Sequence, residues 1–269
     1  MKKQIFLFFV LTFVFISYAA AFNIRVDIRK VELKITSGDS SRGGIIVENP
    51  TENEILVKAY LEDFSYIAPH DGAKKFFPPG STEYSCAKWI TFSPQEFRLA
   101  PFSKQKVSYT VSVPEAARGG HYAVLFFETA LGEVPDNQGA NILVLGRIGS
   151  LFLINTDESI KQAELINLST KTKAIEAGLH NTGNTILTAK GSFYIMNNEG
   201  KVFDRGKITD IYLSPGDNAE VSLPIGENVP AGNYTLMATF DLEGGDILVK
   251  EIDFYLGPGG ILNISSVRD

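Results

Sequence analysis

The sequence predicts an all-β chain made of two face-to-face sandwiches in tandem, and three observations carry that prediction. Helix-period segments are nearly absent, whereas apolar and polar residues alternate with the period of a strand through most of the chain. Turn residues divide each half into about seven short segments, the number that two packed sheets require. Third, one set of punctuation marks occurs twice, at matching places in the two halves. In the first half Val47-Glu48-Asn49 leads through a turn to Ile55-Leu56, and later come Leu99-Ala100-Pro101, Val113-Pro114 and Gly120-His121-Tyr122. In the second half Leu179-His180-Asn181 leads to Ile186-Leu187, followed by Leu213-Ser214-Pro215, Leu223-Pro224 and Gly232-Asn233-Tyr234. The Leu-to-Tyr spacing is 23 residues in one copy and 21 in the other, room for two strands and a corner. A repeat this long marks two related domains rather than an array of small units.

Residues 23–35 alternate with Ile24, Val26 and Ile28 on one face, then with Val31, Leu33 and Ile35 after a change of phase. A bulge or a switch between sheets produces such a shift. Gly43-Gly44 opens a strand to Asn49, residues 49–53 are a turn, and residues 55–63 form the next strand. Residues 104–113 put Val107, Tyr109, Val111 and Val113 on one face and Lys106, Ser108, Thr110 and Ser112 on the other. That is a strand in a sheet with one wet face. Pro94, Pro101 and Pro114 fall between strands, where a missing N–H does no harm. Residues 121–129 and 141–154 close the first half. The second half reads as strands near 160–168, 172–180, 185–197, 201–213, 218–225, 233–243 and 247–256, with residues 155–159 as the hinge. Tyr122 and Tyr234 each follow a Gly at the start of a late strand, which suits a tyrosine corner whose hydroxyl bonds back to the preceding loop.

The N-terminus has Lys2-Lys3, an apolar run over residues 5–16 broken only by Thr12, and Ala19-Ala20-Ala21. This pattern predicts a secretory signal over residues 1–21, too short in its apolar part to span a bilayer. The domains are then 22–156 and 157–269, in an exported chain without a membrane span after cleavage. Loss of two Lys leaves 23 basic against 31 acidic residues, a net charge of −8. That balance argues against nucleic acid as a partner. Cys86 is the only cysteine, so no intrachain disulfide forms and it reads as a small apolar residue near Trp89.

No residue pattern announces a reaction. His70, His121 and His180 are far apart and have no neighbours at metal-ligand spacing. There is no Gly-x-Ser-x-Gly, no phosphate loop and no calcium loop, and Glu62-Asp63 are adjacent on a strand and face opposite ways. No catalytic residue, cofactor or metal is expected.

Two segments stand out as contact surfaces. In residues 141–154 one row holds Ile142, Val144, Gly146, Ile148, Ser150, Phe152 and Ile154, and the other holds Leu143, Leu145, Arg147, Gly149, Leu151 and Leu153. Both rows are apolar, unlike a strand with one wet face. Either the strand is buried on both sides, or it keeps Leu143, Leu145, Leu151 and Leu153 for a protein partner that adds a strand, with Arg147 placed for a carboxylate. The second segment, residues 65–88, carries Phe76, Phe77 and Tyr84 among prolines. A connection of that length either contacts a partner or caps the sandwich.

Val47-Glu48-Asn49, Phe92-Ser93-Pro94, Leu99-Ala100-Pro101 and the Val-rich strand after them resemble the first domain of periplasmic pilus-assembly chaperones of the PapD-like superfamily. With Gly119-Gly120-His121-Tyr122-Ala123-Val124 they are also similar to the WxL-associated cell-surface, peptidoglycan-binding proteins. The resemblance implies immunoglobulin-like sandwiches and an envelope location, periplasmic or at the cell surface. In the chaperones an Arg on the first strand and a Lys on the last strand of domain one hold a client's terminal carboxylate. Arg25 or Arg29 falls near the first place, while Gly149 or Ser150 stands near the second, with Arg147 the nearest base. The expectation is a non-catalytic, protein-binding factor of the chaperone type, the other readings being a wall-binding or adhesive module and, last, an enzyme.

Overall fold

A computed structural model describes residues 23–135 and 140–269. The expected signal segment lies outside the described residues. Among those described, no helix is long and apolar enough to cross a membrane, and the only helical pieces are single 3-10 turns at Ala87–Trp89 and Pro258–Gly260.

The described residues of the first sandwich form ten strands: β1 (Arg25–Val26), β2 (Lys30–Lys34), β3 (Ser40–Glu48), β4 (Ile55–Tyr66), β5 (Lys74–Phe77), β6 (Ile90–Ser93), β7 (Glu96–Leu99), β8 (Lys104–Ser112), β9 (Gly120–Pro135) and β10 (Asn141–Asn155). One sheet has the order β1-β3-β8-β6, and the other β2-β10-β9-β4-β5 with β7 also on β4. The phase change near residue 28 is therefore a switch between sheets: β1 pairs with β3 and β2 with β10. The wet-face alternation in β8 holds as read, with Val107, Tyr109 and Val111 buried and Lys106 and Ser108 outside. The core between the sheets includes Ile24, Ile45, Val47, Val57, Leu125, Phe127, Phe152 and Ile154, all fully buried.

The second sandwich comprises β11 (Ala163–Lys171), β12 (Ala174–Asn181), β13 (Leu187–Met196), β14 (Val202–Leu213), β15 (Asn218–Pro224), β16 (Gly232–Asp241), β17 (Ile247–Leu256) and β18 (Leu262–Arg268). Its sheets have the orders β11-β12-β15 and β14-β13-β16-β17-β18. The last strand was not foreseen. Leu262 is buried in its core, and Arg268 bonds Glu251 and Asp253 on β17.

The repeated punctuation has a physical cause. Asn49 is fully buried, and its Nδ2 donates to the carbonyls of Asn53, Leu99 and Ala100 at 2.7, 3.1 and 3.1 Å. Asn181 does the same in the second sandwich, donating to the carbonyls of Thr185 and Leu213 at 2.9 and 3.3 Å. Each Asn closes its own turn and ties it to the Leu-x-Pro corner, which gives the buried backbone oxygens there a donor.

The two tyrosines diverge. Tyr234 donates to the Pro230 carbonyl at 2.9 Å, a tyrosine corner as expected. Tyr122 instead bonds across the junction. The Ile186 N–H donates to its hydroxyl, and that hydroxyl lies 2.8 Å from Thr185 Oγ1, which in turn donates to Asn155 Oδ1 at 2.7 Å. Its phenol pKa is raised, mainly by burial. The expected hinge is thus held from both sides. Thr156 N–H donates to the Gly119 carbonyl at 3.1 Å, and Gly120 N–H to the Asn184 carbonyl at 2.9 Å.

The long connection is mostly ordered against protein. β5 pairs with the end of β4, and Asp63, fully buried, accepts bonds from Ser81 N–H, Thr82 N–H, Thr82 Oγ1 and Ser85 Oγ. Farther along, His70 meets β14: Tyr212 N–H donates to the His70 carbonyl at 2.9 Å, and the Tyr66 and Tyr212 rings lie 5.3 Å apart. The Tyr66 phenol is pushed up to about 12, chiefly by burial.

Candidate partner-binding site

β9 and β10 have 16 and 15 residues, whereas β3 and β8 on the opposite sheet have nine each. The hairpin therefore overhangs. Phe127 and Ile148 are its last residues packed on the first core, and they face each other in register. Beyond them a two-stranded ribbon projects roughly 25 Å at the usual rise of a strand. Leu131, Ile142, Leu143 and Leu145 are exposed on it, the last three by more than half.

The ribbon leaves one backbone edge open. Leu151 N–H donates to the Arg29 carbonyl, and Ile35 N–H to the Asn155 carbonyl, so odd-numbered residues of β10 turn their polar groups away from β9. Upstream the register shifts between Val144 and Leu145, where Leu131 is an extra residue on β9, so the bulge lies in β9 and β10 keeps its alternation. β2 covers that edge only from Leu151 to Asn155. Upstream, Leu143, Leu145, Arg147 and Gly149 present N–H and C=O outward, and no described strand pairs with them. Proteins usually shorten, charge or cover such an edge. Here it carries leucines instead.

Where β2 begins, the edge ends in a cleft. Ser150 Oγ donates to the Ile28 carbonyl at 2.5 Å, and beside it a cleft of about 400 Å³ is lined by Ile24, Arg25, Val26, Arg29 and Ile148. It opens where the first strand crosses between sheets, leaving β1 and β10 unzipped. Arg25 and Arg29 are both exposed. Neither has an acidic partner within salt-bridge distance among the described residues.

The structure brings Arg25 and Arg29 to this cleft but puts Arg147 on the other face of β10. Its guanidinium stacks over Phe126 at 4.0 Å and pairs with Glu62 at 3.0 Å. Leu143 and Leu145 are exposed, while Leu151 and Leu153 are half-buried against a third cluster on the outer face of the sheet. That cluster joins Phe64, Tyr66, Val124 and Phe126 to Ile186 and Tyr212 of the second sandwich. The strand is thus covered on its outer face in its second half and exposed there in its first. Phe76 and Tyr84 pack into the same cluster, Phe76 edge-on to Phe126 with ring centroids 5.0 Å apart, and Phe77 is half-buried under Lys75.

A second cleft, about 430 Å³, lies at the junction and is lined by Lys34, Asn155, Lys161 and Thr185 among others. Lys34 faces Asp157 at 3.5 Å, and Lys161 donates to the Glu243 carbonyl. Among the described residues no group of His, Cys, Asp and Glu converges as a metal site. Each imidazole contacts a backbone carbonyl: His70 that of Tyr212, His121 that of Arg118 and His180 that of Asp217. Cys86 is buried, and burial pushes its thiol pKa well up.

Fold and site together define a two-sandwich protein that holds out an open strand edge on a ribbon. Solved structures that match it over most of its length include pilus chaperones of the PapD-like kind. The Salmonella enterica SafA pilin in complex with the SafB chaperone matches at 13% identity and TM-score 0.44, covering 85% of this chain and 95% of that one. The E. coli chaperone DraB matches at 13% and 0.43, covering 85% and 98%. The CsuC–CsuE chaperone–tip adhesion subunit complex of Acinetobacter baumannii matches at 10% and 0.44, covering 84% and 97%. No family model and no curated protein matches the chain.

Proposed function

We propose that the chain is an exported, non-catalytic binding protein of the chaperone type, which takes a partner polypeptide by adding its strand to the open edge of β10. The supporting observation is the run Leu143, Leu145, Arg147 and Gly149, whose backbone groups face outward on an overhanging ribbon with no strand beside them among the described residues. Main-chain hydrogen bonds supply affinity in such a union and flanking side chains supply selection. The exposed Ile142, Leu143 and Leu145 favour a partner strand with apolar residues on both faces.

Geometry also favours one direction for such a strand. A strand laid on this edge stops at Ile28-Arg29, because β2 occupies the rest. Running parallel to β10, as β2 does, it brings its C-terminus to the cleft of Ile24, Val26 and Ile148. There Arg25 and Arg29 attract a carboxylate. Running antiparallel, it brings an amino group to two cations, which is unfavourable. The preferred partner therefore ends in an apolar residue and a free carboxyl group.

Leu145→Pro tests this, since it removes an outward N–H and leaves the ladder to β9 intact. With a nine-residue peptide of alternating valines as probe, the substitution should weaken binding about a hundredfold, and amidating the peptide about tenfold. Unchanged binding by the folded Pro variant, measured by calorimetry, contradicts the reading.

A further inference from the structure

Arg147 belongs to a polar cluster that neither sandwich core contains. It starts on the outer row of β10, and its guanidinium crosses β9 over the Phe126 ring, with the Phe76 ring, itself edge-on to Phe126, 5.2 Å away. It ends on β4, where Nη1 donates to Glu62 Oε1 at 3.0 Å and to Tyr60 Oη at 3.3 Å. The Tyr60 hydroxyl donates in turn to Glu128 Oε2 at 2.8 Å. Three neighbouring strands are thereby tied together at one level. That level is the root of the ribbon: Glu128 is the last β9 residue that pairs with β4, and Arg147 is its partner in register on β10.

We propose that Arg147 is a positioning residue, which pins the root of the ribbon to β4 and so fixes where the open edge points, and that it is not a contact for the partner's charge. Its side chain is 37% exposed and that of Glu62 only 23%, so the pair is partly shielded and held by aromatic faces. A carboxylate arriving from a partner would have to displace Glu62, a trade that brings little net gain. Without the tie, nothing described on the outer face joins β10 to β4 at the level where core packing ends. The ribbon beyond Phe127 and Ile148 then has only its own ladder to hold it, and an isolated two-stranded ribbon is marginal in water.

The part of this that concerns ribbon posture needs no partner, and the part that concerns affinity rests on the strand-addition reading. Hydrogen exchange on the whole, uncomplexed chain separates them. The amides of Ile142, Val144 and Gly146 face β9 and report the ladder, with Phe152 and Ile154 as internal controls. Arg147→Met keeps the apolar stem and should speed exchange at the three ladder amides about tenfold, leaving the controls unchanged. Tyr60→Phe, which removes one hydroxyl, serves if the Met variant does not fold, and should speed them about threefold. The exchanged pair Glu62→Arg with Arg147→Glu should return protection to within about threefold of the parent. Ladder amides unchanged in Arg147→Met or in Tyr60→Phe would overturn the proposal, as would failure of the exchanged pair to recover them in a chain of parental thermal stability. The valine peptide gives the second arm. A positioning role lets the exchanged pair keep most of the peptide affinity, whereas a direct contact makes it as weak as Arg147→Glu alone. If the parent binds no peptide, strand addition fails while the exchange pattern still decides the role of Arg147.

Discussion

Asp63→Ala is expected to destabilise the first sandwich by about 3 kcal/mol, and to release residues 78–85 from the sheet. The carboxylate is fully buried and accepts two backbone N–H groups and two hydroxyls, at 2.8, 2.9, 3.1 and 2.6 Å. Truncation leaves those donors facing a hole, and each buried donor without a partner costs on the order of 1–3 kcal/mol unless water enters. The released segment also carries Tyr84, whose carbonyl accepts the Tyr122 N–H at 2.6 Å. Loss of the anchor therefore spreads to the domain junction. Asp63→Asn keeps the shape but turns an amide toward donors, so about half the loss is expected. Urea denaturation measures both, and a change below about 1 kcal/mol for the alanine variant would contradict this account of the segment.

Gly120→Ala is expected to uncouple the two sandwiches. A Cβ there would stand 2.0 Å from Tyr122 Oη and 2.3 Å from Thr185 Oγ1, the atoms that carry the junction's hydrogen-bond chain. Neither can retreat without breaking a buried bond, so a cost of about 3 kcal/mol follows. Gly119 is constrained as well: its φ is +74°, and a Cβ would meet the Asn184 carbonyl oxygen at 2.5 Å. Tyr122→Phe is the milder companion. It keeps the ring in the outer cluster and strands the Ile186 N–H, at about 1–3 kcal/mol. Calorimetry should show one transition in the parent and two in Gly120→Ala, while a single transition in the alanine variant would show that the junction is not what couples the domains.

What could be read from the residues was local. Asn49 and Asn181, each ahead of a turn and matched to a Leu-x-Pro corner, marked the duplication because every copy must satisfy its own buried carbonyls. The phase change near residue 28 announced a bulge or a switch between sheets, and the structure makes it a switch; the two apolar rows of residues 141–154 marked an unusual strand, either doubly buried or kept at an edge. What could not be read was distant in sequence. Tyr122 and Tyr234 sit in similar local contexts, yet Tyr122 bonds to Thr185, 63 residues on, and Tyr234 to Pro230. Arg147 carries no local sign of Glu62, which lies 85 residues earlier. Phe76 and Tyr84 look exposed among prolines until β5 and the Asp63 anchor fold them inward. The strand β18 escaped because its alternation is weak and mostly polar, and what ties it to β17 is Ser266 and Arg268 bonding the carboxylates of Asp253 and Glu251.

The central claim is that a partner's backbone pairs with the odd-numbered residues of the ribbon. Amide exchange measured residue by residue, with the valine peptide added, tests it most directly. Protection should rise at Leu143, Leu145, Arg147 and Gly149 and stay as it was at Ile142, Val144, Gly146 and Ile148, whose N–H groups already face β9. Protection without that alternation, or gathered instead around Lys34 and Lys161 at the junction, would contradict it.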